Sequence, residues 1–177
     1  MATRLAVRVP AKSGAVAVDT SAGVVPLDRN GTDYLSWLFA FKGEGYEYGG
    51  DWFGGCESPT VRRAYSRDTS KQYGIDCGGL ISCGAYFAGY DWTPRYNTTK
   101  DLGAVSHHVG WDGVRPGDIL LWYGHHVMSV CGVHRRDRGL FVDTIEAAGS
   151  DVGMVVYRQN RYWKKLRQYD PRGLLAP

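Results

Sequence analysis

Asp76-Cys77-Gly78-Gly79-Leu80 is the stretch on which the reading of this chain turns. An aspartate that can cap a helix stands directly before a cysteine, and two glycines follow. The first turn of a helix carries unpaired N–H groups and about half a positive charge. A thiol placed there gives up its proton more readily, and the thiolate is the nucleophilic form. The same N–H groups can hold an oxyanion. The pentapeptide therefore reads as a nucleophile site that needs a base from elsewhere in the chain.

The helix that follows is expected to run to about residue 87, with Leu80, Cys83, Phe87 and Ala88 on one face. Glycines at 78, 79 and 84 weaken it by about 1 kcal/mol each relative to alanine, so tertiary packing must hold it, as a central buried helix. Upstream, residues 30–42 read as another helix, with a stripe of Tyr34, Leu35, Leu38, Phe39 and Phe41. Gly43-Glu44-Gly45 ends it. Residues 49–75 form a long polar connection, with the length of a functional loop.

Downstream the pattern changes to strands. Pro116-Gly117-Asp118 marks a turn, and strands are expected over 119–123, 126–133, 140–146 and 154–158, joined by short turns. Short turns between consecutive strands give an antiparallel meander. Helices followed by such a sheet make an α+β domain. The domain is expected over 30–165, with 1–29 an N-terminal arm or linker and 166–177 a C-terminal tail.

Bulk composition suits a single globular domain: 177 residues, 44% hydrophobic and 22% charged. A net charge of +3 is too mild to identify a polyanionic partner. There is no apolar run of about 18 residues, so no membrane partner is expected, and nothing points to nucleic acid. Arg4 and Arg8 are followed by Pro10, Lys12 and Ser13 rather than an apolar core, so no secretory signal is expected. Cys56, Cys77, Cys83 and Cys131 form no C-x-x-C pair, which argues against a zinc or redox motif. A disulfide framework is not expected at this cysteine density; Cys83 and Cys131 read as small buried hydrophobes. His107 and His108 sit in a loop-like segment, and adjacent histidines at 107–108 and 125–126 would face opposite ways on extended chain, so neither a metal nor another cofactor is expected.

A cysteine nucleophile needs a base, usually histidine, and the base needs an acceptor that orients it. His126 begins a strand on one face with Met128 and Val130, while His125 points to the other; position alone puts His126 only modestly ahead. Glu146 closes the third strand on a face with Thr144 and Val142. A glutamate there is ordinarily a solvated surface residue. Trp122 reads as core packing, and the basic run from Arg161 to Arg167 as a solvated terminal face.

A resemblance bears on these choices. Gly45-Tyr46-Glu47-Tyr48-Gly49-Gly50 and Gly74-Ile75-Asp76-Cys77-Gly78-Gly79-Leu80 together resemble the paired signature of the NlpC-type cell-wall cysteine peptidases. Val114-Arg115-Pro116-Gly117-Asp118-Ile119-Leu120 looks like that family's turn and strand. His126-Val127-Met128-Ser129-Val130 is similar to its histidine-led strand, and Ile145-Glu146-Ala147 to the site of its third polar residue. The likeness covers about residues 32–158, in the family's order. It implies a papain-like α+β fold, with N-terminal helices packed on an antiparallel sheet. It implies Cys77 as nucleophile, His126 as base, Glu146 as orienter and Tyr46 as the hydroxyl assisting the oxyanion. Asp76, Gly78 and Arg95 stand where they could meet substrate. Gly78 departs from the family's usual serine, and Glu146 from its frequent histidine; glutamate accepts an imidazole N–H at least as well. The implied partner is bacterial peptidoglycan, cleaved at an amide bond of its stem peptide. With no signal expected, a phage lysin or a tail-associated wall hydrolase is the expected setting, in which the 1–29 arm would suit docking on other tail proteins; the alternatives are a non-catalytic structural or wall-binding tail module of the same fold, and an amidase or acyltransferase using the same dyad.

Overall fold

The computed structural model describes residues 29–49, 74–88, 90, 98–149 and 152–174. The 1–28 arm, most of the 49–75 connection and Arg95 lie outside the described residues.

The first helix, α1, is Arg29–Ala40. Its stripe is the one the periodicity marks: Tyr34, Leu35, Leu38 and Phe41 are all buried, with Phe39 packed partly against the same cluster. The chain turns at Gly43, whose φ of 86° is one a side chain rarely adopts. The second helix, α2, is Cys77–Phe87, and every residue from Gly78 to Ala85 is buried. Its glycines cost helix propensity, and Gly84 shows what one of them permits. A Cβ there would stand 2.4 Å from Leu38 Cδ2 and 3.2 Å from Tyr34 Cε2. The glycine lets α1 and α2 approach closely enough to share one core.

Two short helices follow, α3 at Thr99–Ala104 and α4 at Gly110–Gly113, with a three-residue strand β1 at Ser106–His108 between them. The remaining strands are β2 Ile119–Trp122, β3 His126–Arg136, β4 Gly139–Ala148, β5 Met154–Tyr162 and β6 Asp170–Leu174, with a 3₁₀ turn at Trp163–Leu166. They form a six-stranded antiparallel sheet in the order β1-β6-β2-β3-β4-β5. The domain is α+β, as expected.

The sheet corrects two features of the sequence reading. Residues 166–174 of the expected tail belong to the domain: β6 lies inside the sheet, between β1 and β2. Asp170-Pro171-Arg172-Gly173-Leu174 carries a proline and a glycine, both depleted in strands, so pairing on both edges rather than local preference makes it a strand. His107 is likewise in β1, not a loop, paired with Gly173; three residues are too few to show a period.

Two cores lie on opposite faces of the sheet. Ile119, Leu121, Val127, Ile145, Ala147 and Val155 pack with α1 and α2. Leu120, Met128, Val130 and Val142 pack with Val114, Leu166 and Tyr169, which follow from the turns and the C-terminal segment. A third correction concerns cysteine. Cys131 is free and buried, and Cys83 is buried too but disulfide-bonded.

Candidate active site

The site forms where the first turn of α2 meets the start of β3 and the end of β4. Asp76 is the N-cap of α2, in extended backbone, and its Oδ1 accepts from the Gly79 N–H at 2.7 Å. Its other oxygen accepts from the Gly49 N–H at 3.0 Å. One carboxylate thus joins the nucleophile helix to the Tyr46 segment. Burial pushes the Asp76 carboxyl up, opposed by the N–H donors of Gly79, Gly49 and Gly78. Asp76 and Gly78, expected to meet substrate, are placed as the cap and as a buried residue of the helix's first turn. Arg95 lies outside the described residues.

The Tyr46 segment is fixed from two sides. The Tyr46 N–H donates to Gly153 O at 2.8 Å, and the Ile75 N–H donates to Gly45 O at 2.9 Å. The Glu47 carboxylate accepts from the Gly74 N–H at 3.0 Å. Tyr46 is half-buried. Burial, and then the nearby Cys77 and Asp76, push its hydroxyl up to about 12, so it remains a proton-bearing donor.

His126 is the first residue of β3, paired with Trp122 across the tight turn from β2. Its Nε2 stands 2.7 Å from Glu146 Oε2. An ionised carboxylate only accepts, so the proton of this bond is on Nε2. That leaves Nδ1 free to pair with the Cys77 side chain, which interacts with the ring. Burial works against a charged ring, yet the Cys77 and Glu146 hydrogen bonds push His126 up to about 9. The edge of the Tyr169 ring closes the histidine's flank, with centroids 6.3 Å apart.

Glu146 is not a solvated strand-end residue. Its side chain is 6% exposed and its two oxygens have separate partners. Oε2 takes His126; Oε1 takes Arg161 Nη1 at 2.8 Å, and Arg158 Nε lies 2.9 Å away. The Arg158 contact is an ion pair without hydrogen-bond direction, since Nε finds no aligned acceptor. Burial opposes the ionised carboxylate, but His126 and Arg161, with Arg158, hold it below the usual carboxylate range.

Cys77, His126, Glu146 and Tyr46 are therefore brought together, and Arg158, Arg161 and Tyr169, which the sequence reading did not place at the site, join them. Arg161 leaves the solvated basic run assigned to it and binds Glu146. Its parity is reset by a bulge: Thr144 pairs with Arg158 but Val142 with Arg161, so β5 holds one residue more than β4 across this step. Asn160, with a φ of 52°, takes up the irregularity, and its N–H donates to Asp143 Oδ1 at 2.8 Å. One inserted residue moves every later side chain to the other face, and no residue pattern in Arg158-Gln159-Asn160-Arg161 announces it. Tyr169 belongs to the segment read as a tail. Trp122, read as core, is 38% exposed and stacks on His125 with centroids 4.4 Å apart. Its place at the strand end, one residue before the turn glycine's neighbour, was the available signal.

The arrangement can carry out nucleophilic chemistry. It has a thiol at a helix N-terminus, a histidine bonded to it, a carboxylate fixing the ring, and a phenol able to donate. Among the described residues no group of three His, Cys, Asp or Glu side chains could hold a metal ion.

No family model matches the chain, and no curated protein matches it. Among solved structures, the P60 domain of an antigen from M. avium subspecies paratuberculosis is similar at a TM-score of 0.57 and 19% identity. The similarity covers 82% of this chain and 93% of that one. It shows an NlpC/P60-like α+β fold.

Proposed function

We propose that this protein is a cysteine peptidase that hydrolyses an amide bond in the stem peptide of peptidoglycan. The observation that carries the reading is the continuous chain from Cys77, at the start of α2, through His126 to Glu146. The substrate class comes from the motif resemblance around Tyr46, Cys77 and His126, and the NlpC/P60-like fold is in keeping with it.

With its proton held on His126, Cys77 attacks the amide carbonyl carbon as a thiolate, and a C–S bond forms. The carbonyl oxygen gains the negative charge, facing the Tyr46 hydroxyl and the Cys77 N–H. As the tetrahedral species collapses the C–N bond breaks, and the His126 Nδ1 proton passes to the leaving amine. Water then attacks the thioester, His126 takes its proton, and the C–S bond breaks to free the acid and the thiol. Glu146 keeps the Nε2 proton in place throughout and stabilises the imidazolium.

Purified sacculi and defined muropeptides, with products identified by mass spectrometry, test the reading. The wild-type chain is expected to release a new amine and a new carboxylate at one stem-peptide bond, and Cys77→Ala to release neither while keeping its fold. Cleavage by the alanine variant would reject Cys77 as nucleophile.

A further inference from the structure

We propose that Arg161 is a positioning residue, acting through Glu146 to keep the His126 ring aligned on Cys77; this rests on the amide-cleaving site described above.

A glutamate side chain has three rotatable bonds, so one hydrogen bond to His126 does not fix it. Arg161 supplies the second. Its Nη1 donates to Oε1 at 2.8 Å, leaving Oε2 to His126 alone. Arg161 is itself seated on the sheet: the same nitrogen lies 3.3 Å from Thr144 Oγ1 and 3.0 Å from Met128 Sδ. Thr144 and Met128 are fully buried, so the guanidinium is referenced to the rigid centre of β3 and β4. Arg158 cannot take this part. It lies as close to Oε1 but is not aligned as a donor, and its side chain is 40% exposed against 25% for Arg161. Arg158 contributes charge, Arg161 charge and direction.

The groups facing His126 are Cys77 from α2, Glu146 from β4 and the Tyr169 ring from the C-terminal segment, with Arg158 and Arg161 of β5 behind Glu146. Two guanidinium groups share one carboxylate, so the cluster behind the ring carries a net positive charge. Only the short contact between Oε2 and Nε2 makes that side favourable to an imidazolium. If the carboxylate swings away, His126 faces uncompensated cations and the ion pair with Cys77 weakens. The bulge at Gln159-Asn160 is what turns Arg161 to this face.

Alkylation of Cys77 by iodoacetamide reads the Cys77–His126 pair without any amide substrate. Failure of the peptidoglycan reading would therefore show in the sacculus assay and leave this measurement intact. The full chain is labelled at pH 6.5, the label is located on Cys77 by peptide mass, and folding is checked by thermal melting. Arg161→Met is expected to slow labelling about tenfold, the loss typical when a partner that orients a reactive side chain is removed. Arg161→Lys, which keeps the charge and one donor and is the safer variant for folding, is expected to give an intermediate rate. Glu146→Gln is expected to slow labelling similarly, and Glu146→Gln with Arg161→Met no further. Wild-type rates in both folded Arg161 variants would overturn the proposal. So would a double variant slower than Glu146→Gln by a further tenfold, since Arg161 would then act by a separate route.

Discussion

Glu146→Gln is the substitution that probes the site most directly. The amide matches the carboxylate in size but has one acceptor and one donor end. It can accept the His126 N–H only by turning its NH₂ towards Arg161 and Arg158, donor against donor. His126 is held at about 9 against an ordinary value of 6.5, which corresponds to roughly 3 kcal/mol in favour of the imidazolium. Burial acts in the opposite direction, and Cys77 and Glu146 share the gain. Because that gain also offsets burial, the share of Glu146 is at least on the order of 2 kcal/mol, or more than about one pH unit in the titration midpoint. The substitution also removes the counter-charge of two guanidiniums. Breaking a fully buried pair costs about 3–5 kcal/mol; with Arg158 40% and Arg161 25% exposed, solvent screening reduces this to about 2 kcal/mol. For a chain of this length that is about 4–8 °C in Tm. The assay is titration of the His126 ring by NMR, paired with thermal melting at pH 7. A midpoint within a few tenths of wild type in a folded Glu146→Gln variant would refute the coupling between carboxylate and ring.

Further outcomes follow from the same geometry. His126 is raised in the folded state, so its contribution is complete below about 6.5 and is lost as pH rises through about 9; Tm should fall across that window, and His126→Asn should flatten the fall. Tyr46→Phe removes a donor that is protonated at neutral pH; kcat on a defined muropeptide should drop about a hundredfold to a thousandfold with little change in KM, and an unchanged kcat would remove Tyr46 from the reaction. Asp76→Ala deletes the Gly79 cap and the link to Gly49, and should cost about 2 kcal/mol by denaturant unfolding. Gly84→Ala gains about 1 kcal/mol of helix propensity but drives a Cβ to 2.4 Å from Leu38 Cδ2; with overpacking at about 1–3 kcal/mol, a net loss is expected, and a higher Tm would show that α1 yields more easily than its packing implies.

Much of this architecture is legible along the chain because it is written in local signals. The Asp76 cap, the α1 stripe and the turns at Pro116-Gly117 and around Gly139 depend on neighbours within a few residues. So do the helix α2 and the strands β2 to β5, of which β3, β4 and β5 run further than the apolar pattern suggests. His126 and Glu146 share a face because no bulge interrupts β3 before Val130 or β4 after Thr144, so the alternation is unbroken between them.

Tertiary structure decided what no local pattern encodes. Strand β6 exists because β1 and β2 offer it partners on both edges, although its own residues favour neither strand nor core. Tyr169 reaches His126 because the chain must cross the sheet to enter that position. Arg161 reaches Glu146 because one extra residue in β5 reverses its facing. The sequence by itself marked Cys77, since a cap, a cysteine and a helix start are local signals, and its motif resemblance pointed to His126 and Glu146 as the partners. The folded sheet alone decided that the carboxylate is buried between an imidazole and two guanidiniums, because that contact joins three strands whose register is set by pairing and bulges rather than by residue type.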